Sequence, residues 1–180
     1  MNAVVNWAPP ADHLAPVYSQ WALDVTDGTG VYLNTRDGRQ VLDLYGGHAV
    51  AALGYSHPRL LAALEAQARA LIFQSNAVPL EVRARAALRL TRFAGLGLNT
   101  AFFISTGAEA NENAVRMARL HTGRNKVLAA YRSYHGATHG AISLTGDPRR
   151  WPSEPSIPGA VHFWGPYPYR SAFHSTSHEQ

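Results

Sequence analysis

The sequence contains no cysteine and only one lysine among its 180 residues. The absence of cysteine excludes disulfide bonds, thiol nucleophiles and cysteine-ligated zinc or iron–sulfur sites. Of the 16 basic residues, Lys126 is the single lysine and the other 15 are arginines. Chemistry that needs a side-chain amine therefore has one candidate in this chain.

Long apolar runs are also missing. No stretch of 18 or more consecutive apolar residues occurs, and the N-terminus has neither the basic start nor the apolar stretch of a secretion signal. We therefore expect a cytoplasmic protein without membrane spans. The net charge is +4, but the arginines are scattered along the chain, which disfavours a nucleic-acid partner. A content of 46% hydrophobic and 16% charged residues is typical of a soluble globular protein.

The first part of the chain predicts an extended arm followed by a β-hairpin. Residues 1–20 carry three prolines and little hydrophobic periodicity, which is typical of a segment lying on another surface. Two apolar segments follow, Val31–Leu33 and Val41–Leu44. The turn dipeptide Asp37-Gly38 separates them, as a hairpin requires.

Two amphipathic helices are predicted next. Pro58 stands where the first residue of a helix tolerates proline, and leucines recur at helical spacing from Leu60 to Ile72. A second helix begins near Glu81 and has an apolar stripe on one face. Its arginines occupy a different face, which we interpret as solvated rather than as a binding patch.

From residue 99 the pattern is that of an α/β protein. Ala101–Ile104 predicts a buried strand, Ala108–His121 a helix that ends at Gly123, and Lys126–Tyr131 a second strand. Two strands joined by a helix predict a parallel pair with a right-handed crossover.

Two further strands of the same sheet are predicted at Ala141–Leu144 and Ala160–Trp164. Four prolines between them mark an irregular loop, and Ser171–Gln180 has few apolar residues.

The turn before the predicted helix is a candidate anion site. The free N–H groups of a helix start point into the crevice at the carboxyl edge of a parallel sheet, and such an end binds phosphate well. Gly107 permits close backbone approach, while Ser105 and Thr106 add hydroxyl groups. The glycine pattern is that of neither a nucleotide P-loop nor a dinucleotide fold. The alternative is a plain helix cap by Ser105 or Thr106, with Glu109 and Glu112 favourably placed near the positive end of the helix dipole.

A second candidate segment, YRSYHGATHG, spans residues 131–140 and follows the next strand. Its position brings Tyr134 and His135 to the same sheet edge as the turn, where ligands of α/β proteins collect. An aromatic side chain at that edge can stack on a planar ring.

Two histidine pairs have the i, i+4 spacing of metal ligands, His135 with His139 and His174 with His178. Glycines at positions 136 and 140 discourage a helix in the first pair, and neither pair has a carboxylate nearby in a motif. We therefore predict no metal site.

Four motifs in order resemble the N-terminal part of the class III, pyridoxal-phosphate-dependent aminotransferases. This family includes acetylornithine, ornithine, 4-aminobutyrate and ω-amino acid:pyruvate aminotransferases. The resemblance covers nearly the whole chain, although Tyr55 stands where the family usually has histidine. The motifs are DGRQVLDLYGG (37–47), LGYSHP (53–58), TGAEANENAVRMAR (106–119) and SYHGAT (133–138).

The resemblance implies an α/β fold of type I. Residues 1–69 would form the N-terminal arm and a small-domain segment with the hairpin, and residues 70–180 the first, incomplete part of the large domain that binds pyridoxal 5′-phosphate on a mostly parallel sheet. The family roles place the backbone N–H groups of Gly107 and Ala108, with Thr106, on the cofactor phosphate. Tyr134 would stack on the pyridine ring.

The resemblance also implies that the catalytic groups lie outside this chain. Family members are longer, and both the Schiff-base lysine and the aspartate that pairs with the pyridinium nitrogen fall beyond these residues. Lys126 begins a predicted strand, at the edge of the sheet opposite the crevice, so we do not assign it the Schiff base.

The implied activity is amino-group transfer between an amino acid or ω-amine and a 2-oxo acid, by a homodimer when the protein is complete. Ala137 stands where the acetylornithine and ornithine branch usually has arginine, which favours the pyruvate-using ω-aminotransferases or a related group. We expect the isolated chain to be inactive and prone to aggregation, because an incomplete sheet exposes strand edges and apolar faces. The alternative is a non-catalytic remnant that binds the cofactor or phosphate and associates with an intact subunit.

Overall fold

Two sheets, five α-helices and two 3-10 helices are the regular elements of the part of the chain that the computed structural model describes, namely Ala15 and residues 17–173. The chain divides into two compact units, Met1–Leu80 and Glu81–Gln180. The arm prolines Pro9, Pro10 and Pro16 lie outside the described residues, as do His174 and His178. The predicted domain division after residue 69 stays a prediction.

A three-stranded antiparallel sheet forms the centre of the first unit. Strand β1 (Val25–Thr29) pairs with β2 (Tyr32–Thr35), and β2 pairs with β3 (Gln40–Leu42). The register sets Leu33 opposite Val41. The hairpin predicted around Asp37-Gly38 is therefore confirmed, and β1 is an additional strand.

A short helix and a long one follow the sheet. Helix α1 (Gly46–Ala49) is a single turn in which all four residues have a positive φ, including +59° at His48 and +63° at Ala49. Helix α2 (Pro58–Ala70) begins with the proline that the sequence placed there, and it ends because Leu71 is extended.

The second unit contains three helices and a parallel pair of strands. Helices α3 (Glu81–Ala94) and α4 (Gly107–Thr122) confirm their predictions, and α4 ends at Gly123 in the left-handed conformation. Strand β4 (Val127–Ala130), helix α5 (His139–Leu144) and strand β5 (Ala160–Phe163) follow. A 3-10 helix, Pro148–Ser153, occupies the proline-rich loop before β5, and a second, Pro168–Arg170, follows β5.

Two of the predicted strands are wrong. Ala141–Leu144 belongs to α5. The prediction failed because a short apolar run that is buried on all sides has the same sequence pattern in a helix as in a strand. Ala101–Ile104 is not a strand, because no strand of the described chain is hydrogen-bonded beside it. The predicted parallel pair is corrected accordingly: β4 pairs with β5, with Val127 opposite Ala160.

The most deeply buried part of the second unit surrounds α5. Ala141, Ile142 and Leu144 are buried there together with Ala129 of β4. Helix α5 contacts α4, β4 and β5, so it fills the space between the helix and the strand pair. Among the described residues, no helix is long and apolar enough to cross a membrane.

Candidate functional site

Helix α4 begins with a reciprocal capping arrangement. Thr106 is extended, and its Oγ1 accepts a hydrogen bond from the Glu109 backbone N–H at 3.1 Å. The Glu109 carboxylate in turn accepts from the backbone N–H groups of Thr106 at 3.2 Å and Ser105 at 2.8 Å. This is a capping box, so the predicted cap by Thr106 is confirmed.

The cap leaves two backbone donors at the helix start unused. Within the described part of the chain, no group accepts a hydrogen bond from the N–H of Gly107 or Ala108. Apart from its chain neighbours and the backbone of its own helix, no atom lies within 4 Å of the place where a Cβ of Gly107 would stand, so this turn is open. Two free N–H groups at the positive end of a helix dipole attract an anion. The cap and the anion site are therefore compatible.

The segment that carries Tyr134 contacts the same end of α4. Asn111 Nδ2 donates a hydrogen bond of 2.7 Å to the backbone oxygen of His135. A Cβ added to Gly136 would lie 2.6 Å from Ala108 Cβ, so the two backbones touch. The structure thus brings the backbone of residues 135 and 136 against the first turns of α4, whereas the predicted place of the Tyr134 ring beside this turn stays a prediction.

Tyr134 is 46% exposed as a residue, and its ring has a cation on one face. The guanidinium carbon of Arg149 lies 4.0 Å from the ring centroid. Asp147 holds Arg149 through Nε at 2.9 and 3.0 Å, and this hydrogen bonding lowers the pKa of the Asp147 carboxyl. The Arg149 guanidinium, which Asp147 holds in place, therefore packs against one face of the Tyr134 ring, the ring that is predicted to stack on the cofactor.

A cavity of about 610 Å³ opens at the carboxyl ends of β4 and β5. Tyr131 and Trp164, which directly follow the two strands, line it, and their ring centroids lie 4.6 Å apart. The guanidinium of Arg132 lies 5.4 Å from the Trp164 centroid. This sheet edge is therefore concave and lined by aromatic and cationic side chains, but the lining does not include the predicted site residues Thr106, Gly107, Ala108 and Tyr134.

Glu112 has a different role from the one that its position in α4 predicted. Its Oε1 accepts three hydrogen bonds, from Thr138 Oγ1 at 2.7 Å and from the backbone N–H groups of Gly140 at 2.8 Å and Ala141 at 3.1 Å. The Thr138 bond is the main reason that the pKa of Glu112 is lowered. Glu112 therefore caps α5 and not the start of α4. The sequence contains one signal for this role: Glu112 follows Ala108 by four residues and therefore lies on the same face of α4.

The histidines of this segment take part through the backbone. The N–H of His135 donates to Thr145 Oγ1 at 3.1 Å, and His139 is the first residue of α5. Across the described residues, no three histidine, aspartate or glutamate side chains are grouped as a metal ion would need.

The first unit has a separate cavity of about 640 Å³ that sequence analysis did not identify. The Asp43 carboxylate at its wall accepts hydrogen bonds from the Tyr55 hydroxyl and from the backbone N–H groups of Tyr45 at 2.8 Å and Gly46 at 2.9 Å. The Tyr55 bond lowers the pKa of Asp43 and raises the pKa of Tyr55. The residue that departs from the usual family motif thus fixes the turn into α1. Aromatic side chains that line the cavity include Tyr18, Trp21, Tyr45, His48 and Tyr55.

Fold and site together define an α/β protein with a helix start open to an anion, in which the segment that follows a parallel strand and carries Tyr134 packs against the first turns of that helix. The sequence matches the family described as aminotransferase class-III over residues 14–180. The chain belongs to this family, and its type I α/β fold is confirmed.

The similar proteins are aminotransferases by name, which is consistent with this family. Acetylornithine aminotransferase of Halalkalibacterium halodurans is 37% identical over 134 residues, which cover 74% of this chain and 34% of that protein. The same enzyme of Bacillus amyloliquefaciens is 31% identical over 166 residues, which cover 92% and 71%. The solved structure of taurine:2-oxoglutarate aminotransferase from Bifidobacterium kashiwanohense, in complex with PLP and glutamate, aligns with a TM-score of 0.82 and 35% identity over 87% of this chain and 36% of that one. The chain thus spans about a third of the length of the first and third of these relatives.

Proposed function

We propose that the complete protein is a pyridoxal-5′-phosphate-dependent aminotransferase, which transfers an amino group between an amino acid or ω-amine donor and a 2-oxo acid. The observation that carries the proposal is the pair of free N–H groups at Gly107 and Ala108, at the start of a 16-residue helix that contacts the Tyr134 segment. A phosphate site next to an aromatic ring fits a phosphorylated ring compound. Family membership supports pyridoxal 5′-phosphate as that compound.

Each residue of the site has a defined task in this proposal. The N–H groups of Gly107 and Ala108 bind phosphate oxygens, and the Thr106 hydroxyl, whose oxygen already accepts from Glu109, has its proton free to donate. Tyr134 orients the ring by stacking. The Glu109 carboxylate accepts hydrogen bonds from the backbone N–H groups of Ser105 and Thr106, so its negative charge stays at the helix cap. The bound cofactor supplies a ring that withdraws electrons from the substrate.

We also propose that the 180-residue chain alone does not transfer amino groups. Lys126, its only lysine, precedes β4, whereas the segment of Tyr134 follows it. A four-residue strand is about 13 Å long, so the amine starts at the wrong end of the strand. For the complete protein we propose a cytoplasmic homodimer, which sedimentation of the full-length product tests.

A proline at position 107 tests the phosphate site. The first position of a helix tolerates proline, as Pro58 shows in α2, and the extended Thr106 has the conformation that precedes proline. Gly107→Pro therefore removes one N–H donor while the capping box remains possible. Loss of a hydrogen bond to a charged group costs about 1.5–3 kcal/mol, so we expect pyridoxal phosphate to bind roughly 10 to 100 times more weakly.

Two controls, a ligand without phosphate and a lysine variant, accompany this titration of the full chain. Pyridoxal, which lacks the phosphate, should bind weakly to the wild type and equally weakly to Gly107→Pro. Lys126→Ala should bind the cofactor like the wild type. Equal affinity of the wild type and Gly107→Pro for pyridoxal phosphate contradicts the phosphate site, and loss of binding in Lys126→Ala contradicts our placement of the lysine.

The activity itself requires the longer product. The coding sequence beyond Gln180 should continue in frame and supply an aspartate at a strand end and a lysine in a loop. That product should transfer amino groups from an amino acid or ω-amine to a 2-oxo acid, and a full-length protein with neither residue nor activity contradicts the proposal.

A further inference from the structure

Three residues on one face of α4 hold the segment that carries Tyr134. Ala108, Asn111 and Glu112 stand at relative positions i, i+3 and i+4, which lie on the same side of a helix. Ala108 touches Gly136, and Asn111 binds the backbone oxygen of His135. Glu112 reaches furthest along the segment, to Thr138, Gly140 and Ala141.

The Glu112 carboxylate is fitted closely to the start of α5. A Cβ at Gly140 would lie 2.2 Å from Oε2 and 2.6 Å from Cδ of Glu112, so the carboxylate occupies the space of a side chain there. All three hydrogen bonds go to the same oxygen, Oε1. The anchor therefore needs one acceptor oxygen and does not require a second carboxylate oxygen.

The anchored segment connects the two halves of the site. Tyr134 is the residue immediately before His135, the first residue that α4 holds. The free N–H groups of Gly107 and Ala108 belong to the same helix. The backbone that directly follows Tyr134 is thus held by contacts that start from α4 itself.

We infer that Glu112 is a positioning residue, which anchors residues 135–141 to α4 and so holds the Tyr134 ring at a fixed place relative to the N–H groups of Gly107 and Ala108. The inference rests on the proposed function for the identity of the ligand ring. Its consequence is selective: loss of the anchor weakens recognition of the ring and leaves recognition of phosphate unchanged.

Two substitutions separate the acceptor oxygen from the rest of the side chain. Glu112→Gln keeps an uncharged oxygen with two lone pairs that can accept from the same donors, whereas Glu112→Met keeps the length of the side chain and has only a weakly accepting sulfur. We expect Glu112→Met to bind pyridoxal phosphate about tenfold more weakly, the value of one lost aromatic stack, and inorganic phosphate within about twofold of the wild type. Glu112→Gln should bind both ligands like the wild type.

A double-mutant cycle tests whether Glu112 acts through the ring. Tyr134→Ala should weaken pyridoxal phosphate binding by a similar factor, and Glu112→Met combined with Tyr134→Ala should be no weaker than Tyr134→Ala alone. Independent, multiplying effects overturn the inference. Loss of both phosphate and pyridoxal phosphate by Glu112→Met also overturns it, because the role is then only structural.

Hydrogen exchange tests the anchor without a ligand. The amides of Gly140 and Ala141 should exchange slowly in the wild type and in Glu112→Gln, and rapidly in Glu112→Met. Unchanged exchange in Glu112→Met overturns the inference whatever the binding data show. A wild-type chain that has protected amides but binds no pyridoxal phosphate contradicts the proposed function, while the anchoring by Glu112 stands.

Discussion

Replacing Gly136 with alanine probes the contact that joins α4 to the Tyr134 segment. The added Cβ would lie 2.6 Å from Ala108 Cβ, 2.9 Å from Ala108 Cα and 3.1 Å from Ala141 Cβ. A side chain cannot rotate out of this space, because its first atom is fixed by the backbone and Ala108 is held within α4. Gly136 also has a φ of +131°, which residues with a Cβ rarely adopt.

The two penalties set the size of the effect. Overpacking of a close contact costs about 1–3 kcal/mol, and a side chain in an unfavourable positive-φ conformation costs about 1–2 kcal/mol. We therefore expect Gly136→Ala to lower the free energy of opening of α5 by roughly 2–5 kcal/mol. Either α4 and the segment separate, or the segment takes another path.

Native-state hydrogen exchange of the α5 amides measures this free energy within the second unit alone. Gly165→Ala is the matched control, since no atom beyond its two chain neighbours lies within 4 Å of its Cβ position and its φ is not in the positive range. The control should change the opening free energy by less than about 0.5 kcal/mol. If Gly136→Ala is as stable as Gly165→Ala, the close contact between Gly136 and Ala108 is refuted.

Two further predictions concern α1 and Glu112. Ala49→Gly should stabilise the chain by about 0.5–1 kcal/mol in thermal unfolding, because glycine adopts the φ of +63° at this position without strain. The control Ala66→Gly, within the regular helix α2, should destabilise the chain by a similar amount. An Ala49→Gly variant that is no more stable than the wild type contradicts the left-handed turn. The pKa of Glu112 is lowered, so its contribution to stability is complete above the unfolded value of roughly 4.3 and is lost as the pH falls through the folded value. The wild type should therefore lose more stability than Glu112→Gln when unfolding is measured at about pH 6 and again near pH 3.5, and a pH-independent difference between them contradicts the charged anchor.

Local signals were sufficient for most of the elements. Pro58 at the start of α2 and Gly123 at the end of α4 act through their own backbone conformations, and the Asp37-Gly38 turn sets the hairpin within a few residues. Strand β1 was not predicted, because VTDGT contains turn-forming residues and becomes a strand through its pairing with β2.

The candidate site divides in the same way. The cap at Thr106 and the free N–H of Gly107 follow from a pattern of four residues, so the sequence alone predicted them. Glu112 binds Gly140 across 28 residues of sequence, and no local pattern specifies that partner. The same separation in sequence explains why α5 was predicted as a strand. The carboxylate that caps α5 belongs to another helix, so the sequence of α5 itself contains no signal for a helix start.

The capping box of α4 also has a consequence for the order of folding. Its hydrogen bonds span three and four residues, whereas those from Asn111 and Glu112 span 24 to 29. Closing a short loop costs less entropy than closing a long one, and helices form in about a microsecond. We therefore expect the turn with the free N–H groups of Gly107 and Ala108 to exist as soon as α4 forms, before β4 and α5 have brought Tyr134 into place. On the proposed function, a growing chain would bind phosphate before it can bind the ring.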